Sequence, residues 1–202
     1  MIVSQSVRRR RRRPDEAAQE ILDAAATLFT ERISSEVTVS EVMRHTTLSR
    51  KSFYVYFRDR HDLLTRLVQP IRAESDQMVE RLRETRREDP ATAGKECLRD
   101  HARLYLRHGR LLRAIASASE QDTEARTAWR TFVDPVVDAL AELIREETDE
   151  GRSSGLDPDA IARALVGMNV SYFLDQIVDK QRTDIDTLAD TLLTVWIRTL
   201  YA

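Results

Sequence analysis

Between positions 49 and 56, Ser49, Arg50, Lys51, Ser52, Tyr54 and Tyr56 bring together two small hydroxyls, two cations and two phenols. A nucleic-acid-reading surface needs this set: cations and hydroxyls for phosphate oxygens, short polar groups for base edges, and phenols that reach the backbone while their rings pack. Arg60 follows where a new helix would begin, and Thr38 opens the preceding one, placed for a phosphate. A second source of positive charge is the unbroken run Arg8, Arg9, Arg10, Arg11, Arg12 and Arg13. Such an arm is too self-repelling to fold alone. If it engages phosphates or a minor groove, each neutralised phosphate adds about −0.9 to the salt slope of binding. The competing readings are a solvated tail, and a solvated charged face on an ordinary helical hairpin.

These groups need helices to hold them, and the composition favours helices. Five glycines and five prolines in 202 residues rich in Ala, Leu, Arg and Glu leave few turn signals, and no strand-turn-strand pattern competes. A first helix is expected over residues 14 to about 32, with Pro14 in its first turn and Ile21, Ala25, Leu28 and Phe29 on one face. Thr38-Val39-Ser40-Glu41 has capping-box spacing and starts a short second helix that ends near His45. Ser49 is the expected N-cap of a third helix, in which Phe53, Tyr54 and Phe57 bury one edge. Two short helices in a tight turn behind a longer one make a helix-turn-helix.

Beyond it, residues 62 to about 87 read as a long polar helix carrying Pro70, a lever rather than a core element. A helical pair divided at Gly109 follows. The clearest apolar stripe is Trp129, Phe132, Val133, Val136, Leu140, Leu143 and Ile144, in a helix that Pro135 should kink. Asp157-Pro158 starts the next helix, uncharged from Ala164 to Leu174, and the last runs over about 185 to 201. The fold class is all-α, about nine helices. Residues 1–13 form a basic arm, 14–61 a helix-turn-helix domain and 62–202 a ligand-binding and dimerisation domain.

Charge divides along the same line. Residues 1–60 carry 12 Lys and Arg against 8 Asp and Glu, and residues 61–202 carry 20 against 26, which suits a basic module on an acidic body. Cys97 is the sole cysteine, no apolar segment follows the basic start, and no run of eighteen apolar residues exists. The expectation is a soluble protein of the reducing cytoplasm. Catalytic motifs are missing: no Gly-rich phosphate loop, no His-Glu-x-x-His, no paired cysteines and no nucleophile elbow. Cys97, Asp100 and His101 fall within one helical turn, where a metal could use them, but a buried thiol beside a surface histidine is the preferred reading. No cofactor, metal or catalytic residue is expected.

The order of residues sharpens the reading. Thr38-Val39-Ser40-Glu41-Val42, Leu48 to Phe57 and Arg60-His61-Asp62-Leu63-Leu64 resemble the DNA-binding domain of the TetR family of transcriptional regulators. The resemblance covers residues 21 to 64. It departs at Ile33, where the family's first helix usually ends in glycine, at Thr46-Thr47 in place of Ala-Gly, and at Arg60 in place of lysine. Trp129-x-x-Phe132, Met168-Asn169 and the closing Trp196 to Tyr201 resemble the ethionamide-regulator branch of that family. In that branch the matching tryptophans and asparagine line a deep hydrophobic ligand channel, although Val136 and Val166 replace polar and aromatic positions here.

A ligand site is therefore expected from Trp129, Phe132, Val133, Val136, Asn169, Tyr172, Phe173 and Trp196, with Asn169 and Thr131 as polar handles; a plain packed core is the competing reading. The resemblance implies a repressor. Two subunits would pair through their last two helices, placing the third helices in successive major grooves of a palindromic operator, and a small apolar ligand would release them. The alternatives are a ligand-independent regulator or activator with the same reading helix, and a helical metal-dependent enzyme.

Overall fold

A computed structural model describes residues 14–31, 37–152 and 157–201. The arginine run, Ile33 and most of the loop before Asp157 lie outside them. Among the described residues there are eight α-helices, one π-helical segment and no strand. None of these helices is long and apolar enough to cross a membrane.

Helix α1 (Pro14–Glu31) opens with Asp15 and Glu16, whose charge suits the positive end of the helix dipole. It buries Ala17, Ile21, Ala25, Leu28 and Phe29, the spacing of one helical face. Helix α2 (Val39–Arg44) is capped by Thr38, whose hydroxyl accepts the Glu41 amide at 3.2 Å. Helix α3 (Arg50–Tyr56) follows the N-cap residue Ser49. The turn between them needs no glycine, because neither Thr46 nor Thr47 has a positive φ. Instead the Thr46 hydroxyl donates to the Met43 carbonyl and accepts the Leu48 amide, while the Thr47 amide donates to Glu20 on α1.

Helix α4 (Arg60–Thr85) corrects the expectation of a lever outside the core. It buries Leu63, Leu64, Leu67, Val68, Ile71, Ser75, Met78, Val79 and Leu82 and packs against both α5 (Pro90–Ala118) and α6 (Thr123–Asp149). Most of its polar residues lie on the outer face, with Asp62 and Ser75 the buried exceptions. The expected boundary after His61 falls inside its first turn.

The predicted break at Gly109 is also absent: α5 runs through it. A glycine costs a helix about 1 kcal/mol relative to alanine, and here it permits close packing instead. A Cβ at 109 would stand 2.5 Å from Val178 Cγ2. Val178 belongs to the π-helical segment Leu174–Asp179, which continues α7 (Pro158–Phe173) and which apolar periodicity did not predict. The chain leaves it through Gln181 at φ 53° and enters α8 (Ile185–Leu200), capped by Asp184. Among the described residues, eight α-helices and one π segment thus stand where about nine helices were expected. Helix α6 continues through Pro135.

The largest apolar cluster passes without a break from Ile21 and Phe53 through Leu64 and Leu104 to Phe173 and Leu192. A second joins α6, α7 and α8 around Leu140, Ala141, Leu165 and Leu200.

Candidate nucleic-acid interface and effector cavity

Helix α3 divides cleanly. Phe53 and Phe57 are fully buried and stacked with ring centroids 5.3 Å apart. They fix the helix and turn Arg50, Lys51, Tyr54 and Val55 to solvent. Tyr54, 57% exposed, stands edge-on to Phe53, and Val55 is 74% exposed, so this surface is not merely a packing edge. Ser49 is exposed and its hydroxyl lies 3.0 Å from that of half-buried Ser52. Tyr56 is half-buried against the core, and Thr38 is exposed at the start of α2. Of the residues named from sequence, Thr38, Ser49, Arg50, Lys51 and Tyr54 are thus exposed, while Ser52 and Tyr56 are half-buried.

Arg60 lies elsewhere, contrary to its expected place at a phosphate. Its Nε donates to the Val37 carbonyl at 2.9 Å, its Nη1 to Glu124 at 2.7 Å, and its Nη2 pairs with Asp122 at 2.8 Å. The guanidinium also lies over the Phe29 ring. An Arg fork can satisfy several acceptors at fixed angles, and here it joins α1, the start of α2 and the N-terminus of α6. Arg66 lies over the Phe57 ring, 5.0 Å from its centroid.

The C-terminal helices enclose a cavity of about 50 Å³. Phe132, Val133, Val136, Asn169, Phe173 and Trp196, all named from sequence, line it. Trp129 and Tyr172 do not: Trp129 packs its ring 5.7 Å from that of Phe132, and Tyr172 packs on the core outside the cavity. The Thr131 hydroxyl is taken by the Thr127 carbonyl of its own helix. The Trp196 indole N–H donates to Asn169 Oδ1 at 3.2 Å. A second cavity of about 60 Å³ shares Leu82, Leu140, Leu143 and Trp196 with the first, so the pinned indole forms part of the partition between them.

The missed wall comes from α4 and α5: Ser75, Val79, Cys97, His101 and Tyr105 among others. Their helical spacing marks a buried face, but nothing in a sequence says which buried positions border a void. Burial pushes the Cys97 thiol up to about 12, with nearby Asp100 adding to the effect, so it is not a reactive thiolate. Burial also lowers His101 from its ordinary value, more than the Cys97 carbonyl and Asp100 raise it. No group of three His, Cys, Asp or Glu side chains fit to hold a metal occurs among the described residues.

The family described as bacterial regulatory proteins, tetR family, matches residues 21–67, and the C-terminal domain of the transcriptional regulator EthR matches residues 95–202. The HTH-type transcriptional regulator EthR of Mycobacterium tuberculosis is 25% identical over 202 residues, covering 96% of this chain and 92% of that protein. Its counterpart in Mycolicibacterium smegmatis is 24% identical over 197 residues, covering 96% and 91%. Among solved structures, native NalD, the secondary repressor of the MexAB-OprM multidrug efflux pump in Pseudomonas aeruginosa, superposes with a TM-score of 0.75 at 23% identity, covering 94% of this chain and 98% of NalD. FadR from Bacillus subtilis, in complex with stearoyl-CoA, gives 0.69 at 19% identity, covering 88% and 96%.

Proposed function

Because the chain belongs to the TetR family of helix-turn-helix transcriptional regulators, with a C-terminal half of the EthR type, we propose that it is a homodimeric repressor. A small apolar ligand entering the C-terminal cavity releases it from its operator. The observation that carries this reading is the course of α4. Its first residue, Arg60, follows closely on α3 and is anchored to α6, and its later turns place Ser75, Val79 and Leu82 on the cavity wall. One helix therefore touches both the reading module and the effector space.

The DNA contacts fall to Ser49, Arg50, Lys51, Ser52, Tyr54 and Tyr56, with Thr38 at the backbone and the residue 8–13 arginines as a salt-sensitive arm. Dimerisation uses α7 and α8. Helix α7 leaves Ala164, Gly167 and Ser171 exposed, with open space beyond Gly167, and α8 leaves Val195 and Ile197 exposed. An uncharged face of small residues lets two helix pairs approach closely, and a two-fold pair sets its reading helices roughly 35 Å apart, one turn of DNA. The protein works where its DNA is, in the cytoplasm.

A cavity of about 50 Å³ is well below the roughly 300–1,000 Å³ of ordinary ligand sites. A ligand must therefore select a state in which the walls of α4 to α8 have moved apart, and it shifts the DNA equilibrium only by its preference for that state. The same small cavity favours a second reading, a ligand-independent regulator with a closed core.

Selection of bound duplexes from a genomic pool, followed by anisotropy titration of the selected site, tests both readings. Two protomers per palindromic site and loss of binding with Arg50→Ala are expected. Release by apolar compounds supports the first reading. Binding indifferent to every apolar compound supports the second, and absence of any preferred duplex sinks both.

A further inference from the structure

One wall of the cavity holds polar groups that are not equally satisfied. His101 Nδ1 lies 2.9 Å from the Cys97 carbonyl, and His101 Nε2 lies 2.9 Å from Ser75 Oγ. A carbonyl can only accept, so Nδ1 carries the proton and Nε2 accepts the Ser75 hydroxyl. That pair is closed on itself. One turn further along α5, Tyr105 is 3% exposed, and its hydroxyl has no hydrogen-bond partner among the described residues. Its ring lies 5.3 Å from that of Phe173, another cavity residue. A buried hydroxyl without a partner is unfavourable, and a fold that keeps one on a cavity wall holds a donor ready for an acceptor.

The rest of the lining says which acceptor. It includes no Lys, Arg, Asp or Glu; its polar side chains are those of Ser75, Cys97, His101, Tyr105, Asn169 and Trp196, the last with its N–H already given to Asn169. A carboxylate or phosphate there would be desolvated without a counter-charge. We propose that the cavity takes an uncharged ligand, apolar over most of its length, whose single accepting oxygen, that of a ketone, ester or lactone, is bound by the Tyr105 hydroxyl. This rests on the ligand-binding reading above. Burial raises Tyr105 above its ordinary value and lowers His101, so both stay neutral at physiological pH and Tyr105 remains a donor.

The test uses the purified full chain at neutral pH with three probes of one shape: butyrophenone, n-butylbenzene and para-butylbenzoate. Affinity is read by calorimetry and melting by calorimetric scan. In the wild type the ketone binds about five- to tenfold more tightly than the hydrocarbon, the gain of one neutral hydrogen bond, and the benzoate binds more weakly than the ketone. Tyr105→Phe removes the ketone's advantage and leaves the hydrocarbon unchanged. The unliganded variant melts at the same temperature as the wild type or higher, since it sheds an unpaired buried group. The proposal is overturned if the advantage survives Tyr105→Phe, if the benzoate binds best, or if the variant melts lower. If the wild type binds none of the three, the cavity reading itself falls, and this one with it.

Discussion

Arg60 Nη2 lies 2.8 Å from Asp122 Oδ2, so the first residue of α4 is tied to the residue that caps α6. Asp122 also accepts the amides of Glu124 and Ala125. The pair is mostly enclosed, with each side chain 17% exposed, and removing the cation leaves a shielded carboxylate. Arg60→Ala is expected to lower stability by about 1–3 kcal/mol. Arg60→Lys restores only part, because an ammonium cannot reproduce the fork to Val37, Asp122 and Glu124. Denaturant titrations of the three proteins check this; equal midpoints would show that the junction contributes nothing.

The same carboxylate sets a pH dependence. Burial raises Asp122, but the Arg60 hydrogen bond, the Ala125 amide, the Arg60 charge and the Glu124 amide together hold it below the ordinary aspartate value. A depressed folded pKa gives stability that is whole above the unfolded value of about 3.9 and is lost as pH falls through the folded one. The wild type should therefore exceed Asp122→Asn in stability at neutral pH, and the margin should close below about pH 4. A margin that widens on acidification would reverse the sign.

On α3, Arg50 and Lys51 are exposed, so their loss should leave folding intact. Arg50→Ala or Lys51→Ala is expected to weaken operator binding by about 1–3 kcal/mol where the side chain reads a base. Where it meets a phosphate, the salt slope drops by about one unit. Deleting residues 1–13 should lower the slope further without changing which duplex is preferred. Anisotropy titrations at several salt concentrations separate these outcomes.

Gly167→Arg places a long cation in the open space on the outer face of α7. Sedimentation should show a folded monomer with helix content unchanged, and operator affinity should fall at least tenfold because one of two half-sites is lost. A stable dimer with full affinity would remove α7 from the interface.

Trp196→Ala takes away part of the partition between the two cavities. Truncating a partly buried tryptophan should cost about 3–5 kcal/mol or somewhat less, and the merged space should admit longer apolar ligands than the wild type accepts. Calorimetry with a series of increasing chain length reads the change. An unchanged length cut-off would mean that Trp196 does not separate the chambers.

The reading helix was legible because it is local. The spacing of Phe53 and Phe57 dictates which edge is buried, but Tyr54, expected on that edge with them, is 57% exposed, because one residue from Phe53 is about 100° of rotation away. Arg60 was placed wrongly at a phosphate because its partners are 23, 62 and 64 positions away in sequence, and charge alone does not reveal them. At Gly109 the sequence signalled a break because a glycine weakens a helix, while the contact that requires it comes from Val178 in a π-helical segment without an apolar period of its own. Helix α4 looked polar on average; its buried stripe was present but outnumbered. For the cavity, six aromatic, aliphatic and amide residues followed from the stripe and the family pattern. The α4 and α5 wall did not, because a void is a property of what faces a helix.

The contact between Gly109 and Val178 reaches further than the fit of two atoms. The hydrogen at position 109 sets how deeply the end of α7 nests into α5, and through the following turn it sets where α8 begins. If α7 and α8 carry the partner subunit, then a methyl group added at position 109, one helical turn from the cavity residue Tyr105, would tilt the platform on which the second protomer rests. The spacing of the two reading helices would change with it. Operator spacing would then depend on position 109 as surely as on any residue that touches the double helix.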